Sequence, residues 1–391
     1  MTELVDAGTS PKRGTKDYGI NNTGSETKMS ETEASRQEQF SGTKDVAGSH
    51  KFDEKRLEDY MAAHVEGFEG PLTVRQFKGG QSNPTYQLVT PKRKYVLRRK
   101  PPGKLLPSAH AVDREYKVIT ALGTTGFPVP RTYCLCEDDS VIGTMFYIMD
   151  MVEGRVLWEP LMPAQDKETR WKIYASLNET MARLHTVDYE KIGLGDFGKP
   201  GNYFARQISR WSKQYVASET ETIPEMNRLM EWLPENVPQD DSTSIVHGDY
   251  RLDNTVLHPT EPKVIAVLDW ELSTLGHPLG DFTYSLMQWV MPGQGTGGGT
   301  GSIKTADLKS LGIPTLDEYI AMYCERTNRS GIENLDFYFS YNFFRLAGIL
   351  QGIAGRVRDG TASSEHAKQM AANVRPLAEE AWIYAQRAGA K

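Results

Sequence analysis

The chain has 391 residues, of which 39% are hydrophobic and 25% are charged, and its formal net charge is −6. This composition is typical of a globular protein with one large or two medium domains. The acidic balance argues against nucleic-acid binding, because there is no basic excess to neutralise a phosphate backbone. The sequence contains no apolar run of about 18 residues and therefore predicts no membrane span. Three cysteines are too few for a disulfide framework, which favours a reducing compartment.

The N-terminal segment differs in composition from the rest of the chain. Residues 8–50 are rich in Ser, Thr, Gly, Lys and Glu and carry few large apolar side chains. Such a segment cannot bury enough apolar surface to offset the entropy of ordering it, so we predict a disordered tail over residues 1–50. Neither a secretory signal nor an Arg-rich transit helix is recognisable. We expect a cytoplasmic location, with mitochondrial and peroxisomal locations left open.

After residue 50, short strands and helices alternate. Residues 57–65 and 113–122 have the apolar spacing of helices. Short runs bounded by Gly, Pro, Asn or Lys predict strands of a small antiparallel sheet at residues 73–77, 86–89, 95–98 and 146–149. These elements predict a small β-rich lobe over residues 51–153, which we call the N-lobe.

Beyond Gly154 the pattern becomes mostly helical. Apolar residues recur at helical spacing over residues 173–184 and 343–357, and one short β-rich insert covers residues 244–271. The fold class predicted from the whole pattern is α+β, with a helical C-lobe over residues 154–391. Gly154 is the expected hinge between the lobes.

The β-rich insert carries the strongest chemical signal. Residues 246–254 have the sequence VHGDYRLDN, which places Asn254 five positions after Asp249. The apolar run 264–268 then ends at Asp269, so a buried strand would hold this carboxylate rigidly. Phosphoryl transfer needs a group that orients the attacking hydroxyl and oxygen ligands for Mg²⁺. An Asp, an Asn and a second Asp in this arrangement supply those parts.

Some residues near these motifs are interpreted as structural or solvated groups rather than as catalytic ones. His247 is expected to be a structural hydrogen-bonding group, and Asp253 a solvated or capping carboxylate. Asp281 is expected to be a helix N-cap that also anchors the loop around Asp249. The set Arg345, Arg356 and Arg358 either forms a solvated helix face or meets an anionic substrate, and the sequence leaves both interpretations open.

The paired motifs, HGD with an Asn five positions on and LDWE at residues 268–271, resemble the aminoglycoside phosphotransferase and choline kinase family. Within that family, residues 79–86 (GGQSNPTY), 98–103 (RRKPPG) and 106–110 (LPSAH) resemble the kinase-like domain associated with acyl-CoA dehydrogenases. The resemblance extends from residue 52 to the C terminus. It implies a bilobal protein-kinase-like fold, with a small antiparallel β N-lobe that binds nucleotide and a larger helical C-lobe.

The resemblance also implies roles for individual residues. Asp249 matches the catalytic base, and Asn254 and Asp269 match Mg²⁺ ligands. Arg98 takes the place of the strand cation that binds the ATP phosphates, although an ordinary strand-edge cation is the alternative. The remaining nucleotide-binding residues implied are Gly79, Gly80, Ser82 and Asn83 in the phosphate-covering turn, Glu115 as the partner of Arg98, and Asp150 and Val152 at the hinge.

The function predicted at this point is ATP- and Mg²⁺-dependent transfer of the γ-phosphate to a hydroxyl of a small molecule. The subgroup implies a hydroxyacyl-CoA or another anionic hydroxylated metabolite as acceptor. The alternative is a catalytically inactive, nucleotide-binding pseudokinase or interaction module. All the expected carboxylates are present, so the sequence gives no sign of inactivation. We expect no nucleic-acid or membrane partner, and the oligomeric state is left open.

Overall fold

The structure is a computed structural model, and it describes residues 42–46, 48–78, 83–101, 110–293, 301–360 and 365–391. The predicted turn residues Gly79, Gly80 and Ser82 lie outside these ranges. Within the described residues, a β-sheet lobe precedes a helical lobe, which confirms the predicted bilobal α+β architecture. No helix in these ranges has the length and apolar character needed to cross a membrane.

Six antiparallel strands form the sheet of the N-lobe, in the order β1-β2-β3-β4-β6-β5. The strands are β1 (Thr43–Lys44), β2 (Thr73–Phe77), β3 (Thr85–Val89), β4 (Lys94–Arg99), β5 (Thr132–Cys136) and β6 (Phe146–Asp150). In the described part of this lobe, three α-helices accompany the strands, namely α1 (Glu54–His64), α2 (Val112–Gly123) and α3 (Asp139–Ile142). The strands predicted from the sequence are all present, and β5 and β1 are additional.

Alternation along β4 gives the sheet two different faces. Tyr95 and Leu97 point to one face, where they pack with Leu57 and Met61 of α1. Successive side chains of a strand point to opposite faces, so Val96 and Arg98 lie on the other face, toward α2 and the C-lobe. This period of two is the reason why Arg98 and its neighbour Arg99 have different surroundings.

The predicted tail boundary at residue 50 is wrong by several residues. Thr43 and Lys44 pair with Phe77 and Gln76 as the edge strand β1. The carbonyl oxygen of His50 accepts hydrogen bonds at 3.1 Å from the side chains of Tyr86 and Arg99. These contacts use backbone atoms of the segment, which a polar composition does not reveal. Residues 1–41 lie outside the described ranges.

The C-lobe is built mainly of helices around one large apolar core. Its helices are α4 (Lys167–Thr186), α5 (Tyr203–Ser218), α6 (Pro224–Glu235), α7 (Pro278–Ser285), α8 (Met287–Val290), α9 (Leu308–Leu311), α10 (Leu316–Arg326), α11 (Leu335–Arg358), α12 (Glu365–Ala371) and α13 (Val374–Arg387). Its strands are β7 (Ser244–Val246), β8 (Thr255–Leu257), β9 (Val264–Val267) and β10 (Thr274–Gly276). β7 pairs with β10 and β8 pairs with β9, both antiparallel, so the two ribbons flank the HGD segment.

Gly154 lies where the chain passes from the N-lobe to the C-lobe. A Cβ atom at this position would overlap the carbonyl oxygen of Leu257 and would lie 2.5 Å from Val256 Cγ1. The next residue, Arg155, exchanges two backbone hydrogen bonds of 2.8 Å with Leu257. Only glycine allows this close approach of the connection to β8. We therefore propose the lobe boundary at residues 153–154.

Replacing Gly154 by alanine is expected to lower the free energy of unfolding by about 2 kcal/mol, because the new methyl group overlaps the backbone of β8. Chemical denaturation measures this change. The matched control is Gly195→Ala, since a Cβ atom there meets no atom within 4 Å. Equal stability of the two variants would contradict the proposed close packing.

Candidate active site

A cleft of about 440 Å³ separates the two lobes. Residues 151–154 of the connection line one end, while Arg98, Asn254 and Asp269 line the other. Its walls are largely apolar, with contributions from Val96, Ile119, Met149, Val256 and Val267. An apolar cleft with a few convergent polar groups at one end is the usual form of a small-molecule site.

Asp150 and Val152, predicted at the hinge, both line this cleft. The Asp150 carboxylate accepts a hydrogen bond of 2.6 Å from the hydroxyl of Tyr133. Its backbone N–H donates to the carbonyl oxygen of Arg131 at 2.8 Å. The side chain of Asp150 is therefore engaged within the N-lobe, and the contribution of residues 150–152 to a ligand would come from their backbone.

The guanidinium of Arg98 joins the two lobes at the inner end of the cleft. Its Nε atom lies 2.9 Å from Glu115 Oε2 on α2, and its Nη2 atom lies 2.9 Å from Asp269 Oδ1 in the C-lobe. The hydroxyl of Tyr147, directly opposite Arg98 in the sheet, donates to Glu115 Oε2 at 3.1 Å. Arg98 is 8% exposed and Glu115 is fully buried. The strand cation and the helix glutamate are thus in direct contact.

Burial and charge act in opposite directions on this pair. Burial by itself lowers the pKa of Arg98, but the carboxylates of Glu115 and Asp269 outweigh it and raise that pKa above its ordinary value. Burial also raises the pKa of Glu115, and the charge of Arg98 opposes this shift. Each charge is therefore tolerated in the interior because the other is present.

Arg99, the neighbouring cation, has a structural place on the opposite face of the sheet. Its guanidinium donates to the carbonyl oxygens of Ile142 at 3.2 Å and His50 at 3.1 Å. It also lies 5.1 Å from the centre of the Phe52 ring. These contacts hold the N-terminal segment on the sheet and leave Arg98 as the cation that faces the cleft.

Asn83, predicted to contact a phosphate, is placed differently by the structure. It is 1% exposed, and its Nδ2 atom donates to Glu115 Oε1 at 2.8 Å. Its Oδ1 atom lies 2.9 Å from His110 Nδ1. Asn83 therefore braces the glutamate that holds Arg98 rather than presenting its amide to the cleft. The sequence does not reveal this contact because Glu115 is 32 positions away along the chain.

Asp281 of α7 holds the loop that contains Asp249. Its Oδ2 atom accepts the His247 N–H at 2.6 Å, and its Oδ1 atom accepts the Gly248 N–H at 2.9 Å. Burial alone would raise the pKa of Asp281, but His185, at 3.3 Å, and the bound N–H group lower it. The expected anchoring role is observed, whereas the expected N-cap position is wrong, because His277 caps α7.

His247 is fully buried beneath the same loop. Its Nδ1 atom accepts the Asp249 N–H at 3.2 Å, and its Nε2 atom lies 2.8 Å from the carbonyl oxygen of Leu268. These partners assign a neutral ring with the proton on Nε2. Both ring nitrogens are used by the backbone, as expected for a structural histidine.

Each oxygen of the Asp249 carboxylate accepts a hydrogen bond, and these bonds orient the side chain. The Tyr284 hydroxyl donates to Oδ1 at 3.1 Å, and Asn254 Nδ2 donates to Oδ2 at 3.1 Å. The Nε atom of Arg251 lies 3.3 Å from Oδ1. The side chain is 24% exposed, so a carboxylate held in one orientation remains open to an approaching group.

Asn254 and Asp269 lie side by side at the inner end of the cleft. The Leu268 N–H donates to the carbonyl oxygen of Asn254 at 2.8 Å, which fixes the spacing of the two residues. Asp269 has φ 64° and ψ 63°, a left-handed backbone that Asp and Asn tolerate better than most residues. Its side chain is 33% exposed.

The chemistry of these two side chains fits a magnesium ion that arrives with a phosphorylated ligand. Asn254 uses its Nδ2 atom as donor to Asp249, which leaves the amide oxygen as its metal-binding atom. Asp269 adds a carboxylate, and Mg²⁺ commonly takes one or two such ligands together with phosphates and water. Within the described ranges no group of three or more His, Cys, Asp or Glu forms a metal cage.

Three residues of the site escaped sequence reasoning in their present roles. Tyr284 and Arg251 orient Asp249, and Arg345 donates to the carbonyl oxygen of Gly248 at 2.8 Å. The sequence left open whether Arg345 faces solvent or an anionic substrate. The structure buries it against the loop instead, with 7% of the residue exposed. The spacing of Asp281 and Tyr284, three positions apart on one helix, is a signal that would have placed both side chains on one face.

Asp281→Asn is expected to lower the free energy of unfolding at pH 7 by about 3 kcal/mol, because a buried charge that accepts two N–H groups is lost. The folded-state pKa of Asp281 is below its ordinary value of 3.8. Its contribution to stability is therefore present above that value and is lost as the pH falls through the folded-state pKa. Denaturation at pH 7 and at successively lower pH values measures the difference, which shrinks in acid.

The control for this substitution is Asp196→Asn. Asp196 is an exposed carboxylate paired with Lys117, and the pKa of Asp196 is also lowered. Surface pairs contribute little, so this variant is expected to change stability much less than Asp281→Asn. A similar loss in the two variants would refute the anchoring role.

Comparison with known proteins gives consistent results. The model of the phosphotransferase enzyme family matches residues 73–333. A solved structure described as a proposed aminoglycoside phosphotransferase from Ralstonia eutropha is 54% identical, with a TM-score of 0.79 over 86% of this chain and 99% of that chain. An aminoglycoside phosphotransferase solved with AMP-PNP and hygromycin B is 14% identical, with a TM-score of 0.55 over 84% of this chain and 98% of the other, and shares the fold.

Curated relatives are longer proteins. Acyl-CoA dehydrogenase family member 10 of Mus musculus is 44% identical over 86% of this chain and 31% of its own length. Acyl-CoA dehydrogenase family member 11 of Homo sapiens is 43% identical over 86% of this chain and 43% of its own length. The chain thus spans less than half of either relative. The family match covers the cleft, the HGD loop and Asp269, and the chain belongs to the phosphotransferase enzyme family.

Proposed function

We propose that this protein transfers the γ-phosphate of ATP to a hydroxyl group of a small molecule and that the transfer depends on Mg²⁺. This proposal rests on the arrangement of four polar side chains around the cleft. An oriented, partly exposed carboxylate, Asp249, lies next to the two oxygen-bearing side chains Asn254 and Asp269. Arg98 is fixed beside Asp269 by a buried glutamate. The matched family is a phosphotransferase enzyme family, which supports the reaction type.

The cleft has the form required by a nucleotide. Its apolar walls, including Val96, Met149 and Val256, suit a planar base. The backbone of residues 151–154 lies at the end where the base edge would form hydrogen bonds. Arg98 at the opposite end provides a planar, permanently charged group for phosphate oxygens. Nucleotides are present in two solved relatives of the same fold, with AMP-PNP in one and ADP in the other.

Asp249 supplies the group that acts on the acceptor. Its two oxygens are oriented by Tyr284 and Asn254, so one lone pair direction is available to an incoming hydroxyl. The carboxylate orients that hydroxyl toward the γ-phosphate and takes its proton as the new O–P bond forms, while the bond from the γ-phosphorus to the β–γ bridging oxygen breaks and ADP leaves. The Nε atom of Arg251, 3.3 Å from Asp249 Oδ1, places a positive charge beside the same carboxylate.

The metal would be held by Asn254 and Asp269. A bound Mg²⁺ neutralises charge on the phosphates and fixes their geometry. The contact between Arg98 and Asp269 keeps this carboxylate at the inner end of the cleft before any ligand enters. Positioning of this kind supplies much of the rate enhancement in phosphoryl transfer.

We propose an anionic hydroxylated metabolite, with hydroxyacyl-CoA as the leading candidate, as the acceptor. Two lines support this class. The curated relatives that match 86% of this chain carry acyl-CoA dehydrogenase names. The described surface of the C-lobe also carries a cationic helix face, considered below, whereas a cationic aminoglycoside would favour an acidic surface.

Asp249→Asn is expected to reduce turnover by at least about a thousandfold, because the amide cannot accept the hydroxyl proton. Its affinity for MgATP is expected to stay within about twofold of the wild type, since the residue lies on the acceptor side. Coupled ADP release with a panel of hydroxyacyl-CoAs, amino alcohols and sugars measures the first quantity, and calorimetric titration the second. Full turnover in the variant would refute the assignment of the base.

Asp269→Asn is expected to weaken MgATP binding by at least about tenfold, or ~1.4 kcal/mol, because a carboxylate ligand of the metal is lost. Asn is the suitable replacement, since it tolerates the left-handed backbone of this position. Thermal shift on adding ATP, with and without Mg²⁺, provides the measurement. Asp188→Asn, on the C-lobe surface, serves as the control. An undiminished Mg²⁺-dependent shift in Asp269→Asn would contradict the metal site.

A further inference from the structure

One face of α5 carries a concentrated positive charge in an otherwise acidic protein. The helix, residues 203–218, contains three cations and no Asp or Glu, while the whole chain has a net charge of −6. This face is broadly open to solvent. We call it the α5 cationic face, and its lining residues are Ala205, Arg206, Ser209, Arg210, Lys213 and Gln214.

The cations of this face are not neutralised within the described residues. None of Arg206, Arg210 and Lys213 forms an ion pair there with a carboxylate. Arg206 donates to the carbonyl oxygens of Gly201 and Lys199, which fixes its guanidinium at the start of the helix. Arg210 and Lys213 are exposed. Three like charges on one face repel one another, so this arrangement favours an anion.

Two of the three other cations considered for an anionic acceptor are already engaged. Arg345 is buried, donating to the carbonyl oxygen of Gly248. Arg358 pairs with Asp359 at 2.8 Å and donates to the carbonyl oxygen of Glu219. These contacts favour structural roles for Arg345 and Arg358, whereas Arg210 and Lys213 form no ion pair within the described residues.

The N-terminal end of α5 packs beside the strands that lead into the HGD loop. The ring of Tyr203 is so close to Gly276 and Gly280 that a Cβ atom at either would lie 2.7 or 3.0 Å from it. Gly276 ends β10, whose partner β7 runs directly into His247. The α5 cationic face therefore begins next to the elements that position Asp249.

An exposed apolar side chain lies beside the HGD loop. Leu272 is 49% exposed, and its carbonyl oxygen would lie 2.8 Å from a Cβ atom at Gly248, one residue before Asp249. An exposed leucine beside a catalytic loop can contact an apolar linker or acyl chain.

We propose that the α5 cationic face binds the phosphorylated portion of the acceptor while its hydroxyl lies at Asp249. The inference rests on the proposed function and adds the place where the acceptor's negative charge is recognised. Arg and Lys bind phosphate oxygens by charge-assisted hydrogen bonds. Arg206 and Lys213 are seven residues apart, about 10 Å along the helix, which matches a group with two or three phosphates. The ligand of the α5 cationic face is therefore a nucleotide-like phosphorylated group, such as that of a CoA thioester.

The test uses the double variant Arg210→Ala/Lys213→Ala in the full chain. Arg206 is kept because its guanidinium satisfies two carbonyl groups at the start of α5. Two acceptors with the same hydroxyacyl group are compared, one as the CoA thioester and one as the N-acetylcysteamine thioester, which lacks phosphates. The control variant Lys172→Ala/Lys309→Ala removes the same charge from exposed positions elsewhere.

The expected result is a rise of at least tenfold in KM for the CoA thioester in the double variant. KM for ATP, KM for the N-acetylcysteamine thioester and kcat are expected to stay within twofold, and the control variant is expected to match the wild type. An unchanged KM for the CoA thioester overturns the inference. So does an equal rise for both thioesters, which would show an effect on the loop rather than on phosphate recognition.

A binding measurement separates failure of this inference from failure of the proposed function. If neither thioester is phosphorylated, the proposed acceptor class fails, and titration with adenosine 3′,5′-bisphosphate and with inorganic tripolyphosphate tests the face by itself. Binding of the bisphosphate by the wild type, weakened at least tenfold in the double variant, supports the site. If the wild type binds neither compound, or binds tripolyphosphate but not the bisphosphate, the inference that this face recognises a nucleotide-like group is overturned.

Discussion

The whole site depends on one buried cation shared between the two lobes. Arg98 extends from the N-lobe sheet, is fixed by Glu115 on α2 and contacts Asp269 in the C-lobe. A buried charge without a partner is costly, so these three groups hold one another in a single arrangement. The same contact places the cation proposed to bind phosphate beside the carboxylate proposed to bind the metal, which is the pairing that phosphoryl transfer requires.

A second buried charge, on Asp281, holds the HGD loop in place within the C-lobe. Asp281 accepts two backbone N–H groups of the HGD loop, and Arg345 donates to the carbonyl oxygen of Gly248. The loop is thus held through its backbone, which leaves the side chain of Asp249 free to be oriented by Tyr284 and Asn254. Rigid support of this kind is what positions a catalytic group within the tolerance that chemistry demands.

Sequence reasoning succeeded where local periodicity determines the structure. Sequence reasoning found the strand at residues 95–98 and the placement of Asp269 after a buried strand. It failed where distant backbone or side-chain contacts decide the outcome. Thr43 and Lys44 pair with the sheet through their backbone, and Asn83 forms a hydrogen bond with the distant Glu115. The local sequence around these residues does not reveal either contact. The predicted roles of Asp249, Asn254 and Asp269 in catalysis stay predictions.

The most direct test of the account is a crystal structure of this chain with Mg²⁺ and a non-hydrolysable ATP analogue. The account predicts the base against residues 151–154, the metal about 2.1 Å from oxygens of Asn254 and Asp269, and the γ-phosphate facing Asp249. Arg98 would contact phosphate oxygens while keeping its partner Glu115. A nucleotide bound outside the cleft, or a metal held by other residues, would contradict the central claim.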